Sequence, residues 1–381
     1  MILPGSTIGI LGGGQLGRMT GIAARSLGYD VHVLDPNPDC PAGAIASRVI
    51  AASFDDAEAA AELARGSDVV TLEIEQIGVD ALNAASALAP LRPGVAAVTI
   101  VQNRITQRNW LVANGLPVGA HRIVTSAEEC RVAVEALGAS IAKAPTGGYD
   151  GRGQVRIADS RDALAAWTAL GERPCVVEQF LDIETELSVL VARQLSPTNG
   201  GAAVAVYPAA RNHHEQGVLD WSVIPAGVPP AVAAEAERIA RATAEAIDIE
   251  GLLAVELFVL RDGQVLVNEL APRPHNSYHH SARACLTSQF EQLVRAICGL
   301  PLGATDVVAP GAISNLLGDL WPDGRLPDIA AALRVPGARV HLYGKATARP
   351  GRKMGHISAL GSTTDEALAR ALQARAASGG S

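Results

Sequence analysis

Aromatic side chains are scarce: four Trp, five Tyr and four Phe among 381 residues. A chain of this length can still bury two or three packed layers, so its core has to be built from Val, Leu, Ile and Ala. Basic residues are also in deficit, 31 Lys and Arg against 39 Asp and Glu, for a net charge of −8. That excludes a general nucleic-acid binder, which needs a basic face to neutralise phosphates. An anionic small substrate would need its basic contacts gathered in one pocket. Cys40, Cys130, Cys175, Cys285 and Cys298 show no paired short spacing. They suit neither a zinc site nor a disulfide framework and read as reduced core thiols. No uninterrupted apolar run reaches the roughly 18 residues of a membrane span. No basic segment precedes the first apolar run, which Pro4 and Gly5 interrupt, so no signal peptide is expected. The expectation is a cytoplasmic protein that binds neither membrane nor nucleic acid.

What is present divides into three. Residues 1–100 alternate strand and helix signals, with strands at 7–11, 31–34 and 69–74 and a helix from Gln15 to Leu27. That order implies a Rossmann-like parallel sheet with crossover helices. Residues 101–299 read as a mixed α+β domain, with neighbouring strands and long helices at 127–137 and 231–247. Residues 300–381 form a small C-terminal domain of strands and turns, and the tail Ala376–Ser381 is expected to fray.

Gly12, Gly14 and Gly17 match GxGxxG between the first strand and its helix, and Asp35 closes the second strand. This is compatible with a dinucleotide site, and hence a nicotinamide-dependent oxidoreductase. The signal is weak, since a structural turn needs the same glycines, and a phosphate or ribonucleotide pocket is the favoured reading.

The segment 253–270 is more specific. Two apolar strands, 254–260 and 264–269, flank Arg261-Asp262-Gly263 and signal a tight hairpin with Asp262 and Gly263 at its tip. If Arg261 pairs with Gln264, then Glu256 faces Glu269, with Cβ atoms about 5 Å apart. Ala254, Phe258, Leu260, Val265 and Val267 would share that face. Two opposed carboxylates on an apolar face share a proton or hold a cation. Oxygen-only ligands with coordination to spare favour magnesium.

Lys143 ends a short strand ahead of Thr146-Gly147-Gly148-Tyr149-Asp150-Gly151-Arg152-Gly153, a glycine-rich loop whose amides and Arg152 can approach phosphate oxygens. Residues 175–181 read as a buried strand entering a linker suited to an adenine edge, with Glu186 placed for ribose hydroxyls.

A lysine before a glycine-rich flap, an acidic linker and two glutamates across a hairpin resemble the ATP-grasp superfamily. More closely, the chain resembles the N5-carboxyaminoimidazole ribonucleotide synthase family. GILGGGQLGRM (9–19), TLEIEQI (71–77), GGYDGRGQ (147–154), NELAPRPHNS (268–277) and ARPGRKMGHI (348–357) carry the likeness.

The resemblance implies an ATP- and bicarbonate-dependent ligase of purine biosynthesis. It would act on 5-aminoimidazole ribonucleotide through carboxyphosphate, with ATP and two magnesium ions, as a homodimer. Lys143 and Arg104, or Arg108 beside it, would contact ATP phosphates. Glu178, Phe180 and Glu186 would surround adenine and ribose, and Glu256 and Glu269 would hold magnesium. Gly14, Gln15, Glu73, Tyr149, Lys345 and Arg352 would hold the ribonucleotide. His214, Arg273, His275 and Asn276 would line the region where bicarbonate is activated. Asp150 and Arg152 would lie over the reacting centre, with Asp150 or His275 as general base.

Tyr278 and Gln76 stand where the family usually has Gly and Asn. Glu73 and Glu75 alternate with Leu72 and Ile74, so one of them is expected to face solvent or a subunit contact. His279 and His280 read as polar surface. The alternative enzyme on this fold is a formate-dependent glycinamide ribonucleotide transformylase, which lacks the RPGRKMGH segment. A non-catalytic homologue would have lost some of Lys143, Glu256 and Glu269, and all three are present.

Overall fold

The computed structural model describes residues 1–147, 153–195 and 201–379. Tyr149, Asp150 and Arg152 lie outside the described residues.

The first part is a four-stranded parallel sheet in the order Arg48–Ala51, Asp30–Asp35, Thr7–Leu11, Val69–Leu72. Short β-branched runs such as Val69-Val70-Thr71 are buried throughout, as a sheet covered by helices on both faces demands. The edge strand Arg48–Ala51 had no alternation to announce it. The last strand stops at Leu72, two residues short of the sequence expectation, and the chain then bends. This bend matters to the site, because strand alternation no longer governs Glu73 and Glu75.

A second sheet of four antiparallel strands follows the order His121–Val124, Cys175–Gln179, Ser140–Lys143, Gln154–Ile157. Helices Ala127–Leu137 and Ala163–Ala169 cover one side around Val134, Ala142 and Trp167. The largest element is a nine-stranded antiparallel sheet centred on Ile183–Leu195. That strand's odd residues Leu187, Val189 and Val191 pack toward helix Pro230–Ala246. Its even residues Leu190 and Ala192 pack toward helix Gln289–Cys298. Burial on both faces explains its continuous apolar run.

The C-terminal strands Gly311–Leu317, Lys353–Leu360 and Ala338–Leu342 extend this same sheet through pairing of Trp221 with Ser314. Helix Thr364–Ala377 packs against them. The tail is better anchored than expected: Ala376 and Ala377 are helical, and buried Ser378 accepts from the Asp328 amide at 3.1 Å.

His279 and His280 are not surface residues; each is 1% exposed. His279 packs on His356 (centroids 4.7 Å), which stacks on His341 (4.3 Å). The aromatic-poor chain thus uses imidazoles to join its C-terminal strands to the central core. All five cysteines are buried and unpaired, as expected of core thiols, and burial pushes Cys175 and Cys285 up to about 12.

Candidate active site

Helix Gln15–Ser26 starts on the glycine turn with no side-chain cap from Gly14, leaving its first amides in need of acceptors. The protein supplies them from within. Gly14 N donates to Glu73 Oε1 at 2.6 Å, Gly17 N to Glu73 Oε2 at 2.8 Å, and Gly13 N to Asp35 Oδ2 at 2.8 Å. A Cβ on Gly14 would lie 2.3 Å from Glu73 Oε1, and one on Gly17 2.5 Å from the Gly12 carbonyl oxygen. The glycine spacing therefore serves close packing around an internal carboxylate. A pyrophosphate would find that helix N-terminus occupied, which removes the physical basis of the nicotinamide reading. Burial pushes the Glu73 carboxyl up, against the two amides.

Across the cleft, Lys143 ends its strand with Nζ 2.6 Å from Glu178 Oε2. Arg108 meets Glu178 Oε1 through Nε at 2.9 Å, and donates to the Val267 and Asn268 carbonyls at 3.0 and 3.1 Å. Burial raises the Glu178 carboxyl, but Lys143 and Arg108 outweigh it and hold it at about 2. Glu178 is thus a buried counter-ion to the cations as well as a cleft residue. Arg108 is 3% exposed and lines the cleft from behind Glu178. Arg104 reaches Glu269 Oε2 at 3.3 Å and lines the cleft. Phe180 is 42% exposed there, with the Arg156 guanidinium 4.2 Å from its ring centroid. Glu186 bonds His214, which is held above its usual range by Glu186 and Glu256 despite burial.

The hairpin carries Glu256 opposite Glu269, as expected, by a different route. Leu260 N donates to the Gln264 carbonyl, so the loop is three residues, with Gly263 at φ +86°. Leu257 then pairs with Val267 and Phe258 with Leu266, one residue out of the expected register. A bulge at Asn268 restores it, and Glu256 pairs with Glu269. In consequence Val265 and Val267 join the opposite core face with Leu257 and Val259, not the glutamate face. His275 Nε2 lies 3.1 Å from Glu256 Oε1. Burial favours the neutral acid, yet His275, His214 and Lys353 hold Glu256 at about 2.

Asn268, missed in the sequence, brings its amide 3.5 Å from Glu256 Oε2, while its Oδ1 is buried without a partner. The described residues hold no cluster of three or more His, Cys, Asp or Glu arranged for a metal. Two carboxylates and an orphaned carboxamide oxygen fit magnesium, a hard cation that takes its other ligands from phosphate and water.

His275 is fixed by the Ser277 hydroxyl at Nδ1 (2.8 Å) and by Gln289 at its backbone amide (2.8 Å). Asn276 is 9% exposed with both carboxamide atoms unpartnered, and it lines the cleft, where water or a bound molecule can satisfy them. Arg273 Nε is 2.8 Å from Glu75 Oε1. Glu75 is 7% exposed, and Glu73 is taken up by the glycine turn, so neither faces away as alternation suggested. Gln15, Lys345 and Arg352 line the same cleft, with Lys345 Nζ donating to the Lys353 carbonyl at 2.8 Å. Tyr278 lies outside that lining: its hydroxyl clamps the Ser188 and Pro208 carbonyls inside the core, whereas Gln76 is exposed at the cleft. The cleft, about 1360 Å³, thus joins the helix of the first sheet, both later sheets and the C-terminal strands.

Two sheets enclosing a cleft, with a strand-end lysine and a carboxylate hairpin, define an ATP-grasp enzyme. An ATP-grasp domain model matches residues 109–290, a ribonucleotide synthetase preATP-grasp domain residues 5–102, and a phosphoribosylaminoimidazole carboxylase C-terminal domain residues 311–370. N5-carboxyaminoimidazole ribonucleotide synthase of Brucella melitensis is 43% identical over 93% of this chain and 96% of its own length. The Bacillus subtilis enzyme is 41% identical over 96% and 94%. The solved structure of the Aspergillus clavatus synthase in complex with ADP and 5-aminoimidazole ribonucleotide superposes with a TM-score of 0.90 at 33% identity, covering 98% of each chain. The chain belongs to the N5-carboxyaminoimidazole ribonucleotide synthase family of ATP-dependent ligases.

Proposed function

We infer that this protein carboxylates the exocyclic amine of 5-aminoimidazole ribonucleotide, using ATP and bicarbonate and releasing ADP and phosphate. The observation that carries the reading is the shared cleft: Lys143, Arg104 and the Glu256–Glu269 hairpin open onto the same space as Gln15, Glu73, Lys345 and Arg352. A phosphoryl-transfer site and a ribonucleotide site are thereby continuous.

Bicarbonate is a poor electrophile because it is already an anion. Attack of its oxygen on the γ-phosphorus, with loss of ADP, forms carboxyphosphate and creates a leaving group. The substrate amine then attacks the carbonyl carbon of carboxyphosphate, or of carbon dioxide released from it, and inorganic phosphate departs. Lys143 and Arg273 offset charge on the transferred phosphoryl oxygens. Magnesium, two ions held by Glu256 and Glu269 with Asn268, would supply Lewis acidity at the phosphates. Asn276 and His275 orient the bicarbonate, and His275 or Asp150 accepts the amine proton. The loop bearing Tyr149, Asp150 and Arg152 would cover the reacting centre and exclude water. Phe180 and Glu186 would take the adenine and ribose, with Glu178 keeping Lys143 in place. On the ribonucleotide side, Gly14, Gln15 and Glu73 would receive the ribose, and Lys345 and Arg352 the 5′-phosphate. The same reading makes the protein a cytoplasmic homodimer; no helix among the described residues is long and apolar enough to cross a membrane.

The test is ADP release with ATP, magnesium and bicarbonate, with and without the ribonucleotide. Strong stimulation by the ribonucleotide is expected. Stimulation by formate and glycinamide ribonucleotide instead would move the chain to the sister activity.

A further inference from the structure

We propose that Glu75 is a positioning residue for the carboxylation step, acting through Arg273 by holding its guanidinium at the cleft wall. The proposal rests on the reading of this cleft as a bicarbonate-activating site.

Glu75 is not placed by strand geometry, since the strand ends at Leu72. It is placed by a clamp. Gln102 Nε2 donates to the Glu75 carbonyl at 2.6 Å and to the Ile77 carbonyl at 2.7 Å, which fixes the backbone on both sides of the exposed Gln76. From that fixed position the carboxylate, only 7% exposed, approaches Arg273 Nε at 2.8 Å. The two residues belong to different parts of the chain, the first sheet's trailing segment and the loop after the metal hairpin.

A buried carboxylate and a half-buried guanidinium this close offset each other's charge, and removing the partner leaves the remaining one uncompensated. The purpose lies in what else surrounds Arg273. Burial disfavours its charge, while Glu75, Glu73 and Glu269 favour it. Without Glu75, the carboxylates left to attract the guanidinium are Glu73 and Glu269. Collapse onto Glu269 would neutralise a candidate metal ligand. Collapse onto Glu73 would compete with the amides of Gly14 and Gly17. Glu75 prevents both, and leaves Arg273 lining the cleft beside His275 and Asn276. Glu73 and Glu75 are separated only by Ile74, so one short segment anchors both the ribonucleotide side and the anion-activating side.

The experiment compares wild type, Glu75→Gln and Glu75→Asp for KM and kcat with each substrate, together with Tm and ADP affinity by calorimetry. For Glu75→Gln, kcat/KM for bicarbonate should fall by about 10- to 100-fold, while ADP affinity stays within about twofold. Glu75→Asp should recover part of the loss. Arg273→Lys combined with Glu75→Gln should lose little beyond Arg273→Lys alone, since both act through one group. Unchanged kcat/KM for bicarbonate in Glu75→Gln overturns the proposal. So does a fall in Tm with all substrates affected alike, which would mark Glu75 as merely structural. If Glu75→Gln does not fold, Glu75→Asp decides by the same bicarbonate-against-ADP comparison. An inactive wild type with intact ADP binding would instead overturn the functional reading, which keeps the two failures apart.

Discussion

Glu256 and Glu269 face each other on a register one residue out of step with the loop that joins their strands. The three-residue loop sets pairing such as Phe258 with Leu266, and the extra residue Asn268 shifts it before the glutamates are reached. The bulge turns Asn268 toward Glu256 and sends Val265 and Val267 to the core. A bulge at this point does more than correct the register, because it brings a third polar side chain, the Asn268 carboxamide, beside the two carboxylates.

Glu269→Gln keeps the shape of the pair and removes one charge. ADP release in the presence of ribonucleotide should fall by about 100-fold or more. Asn268→Ala should be milder, raising the magnesium concentration for half-maximal rate by about 3- to 10-fold with little change in kcat. Magnesium titrations of the two variants distinguish these effects. Equal half-saturation for Asn268→Ala and wild type would remove Asn268 from the metal site.

Glu178 is the sole carboxylate within ion-pair distance of both Lys143 and Arg108 among the described residues. Glu178→Gln leaves two buried cations beside a neutral amide, a change that typically costs about 3–5 kcal/mol. Denaturant unfolding should therefore show a lower midpoint with an unchanged m-value. A midpoint equal to wild type would mean that the cations are solvated in the cleft and do not depend on Glu178.

Much of this site was legible in the sequence because its signals are local. The strand-end Lys143, the Asp-Gly hairpin and the glycine turn each depend on neighbours a few residues away. The bulge at Asn268 escaped because a three-residue and a two-residue loop share the same Asp-Gly signal. Glu75 escaped because alternation was extended past the end of a strand whose length is set by the neighbouring strand Thr7–Leu11. His279 and His280 read as surface because no local feature reveals that strands some sixty residues onward will cover them. The buried face is made by His341, Tyr343 and His356, and such long-range burial has no local signature.

Gly14→Ala places a Cβ 2.3 Å from Glu73 Oε1, so Glu73 has to leave the helix N-terminus. The ribonucleotide KM should rise by about tenfold or more, with the KM for ATP nearly unchanged. This separation follows because Gly14 and Glu73 sit at the end of the first sheet, whereas Lys143 ends a strand of the second and Phe180 follows one. Equal increases in both constants would show that the glycine turn acts on the whole cleft.

The buried imidazoles set the protein's response to acid. Burial holds His279 and His356 well below the usual histidine range, aided by neighbouring imidazoles, and takes His280 to about 3; His341 is lowered too. The unfolded chain binds protons at these positions near the ordinary value of about 6.5, and the folded chain does not. Folding stability is therefore fully present above that value and declines as pH falls below it. Glu178 and Glu256, both held at about 2, add their own loss only below the ordinary carboxylate range. His214 works in the opposite sense: its raised value adds stability at low pH that is lost as pH rises through it. The imidazoles outnumber it, so Tm should be lower at pH 5 than at pH 7. His280 isolates the effect, because both its ring nitrogens are buried without partners and it packs on Tyr278 at 5.4 Å. His280→Leu removes one proton-binding group from the unfolded chain. Between pH 6.5 and 5 it should spare about 2 kcal/mol of the acid loss, at about 1.4 kcal/mol per pH unit. Calorimetric scans at pH 7 and pH 5 measure this. A wild-type and a His280→Leu protein losing the same Tm over that interval would show that His280 takes up its proton inside the fold.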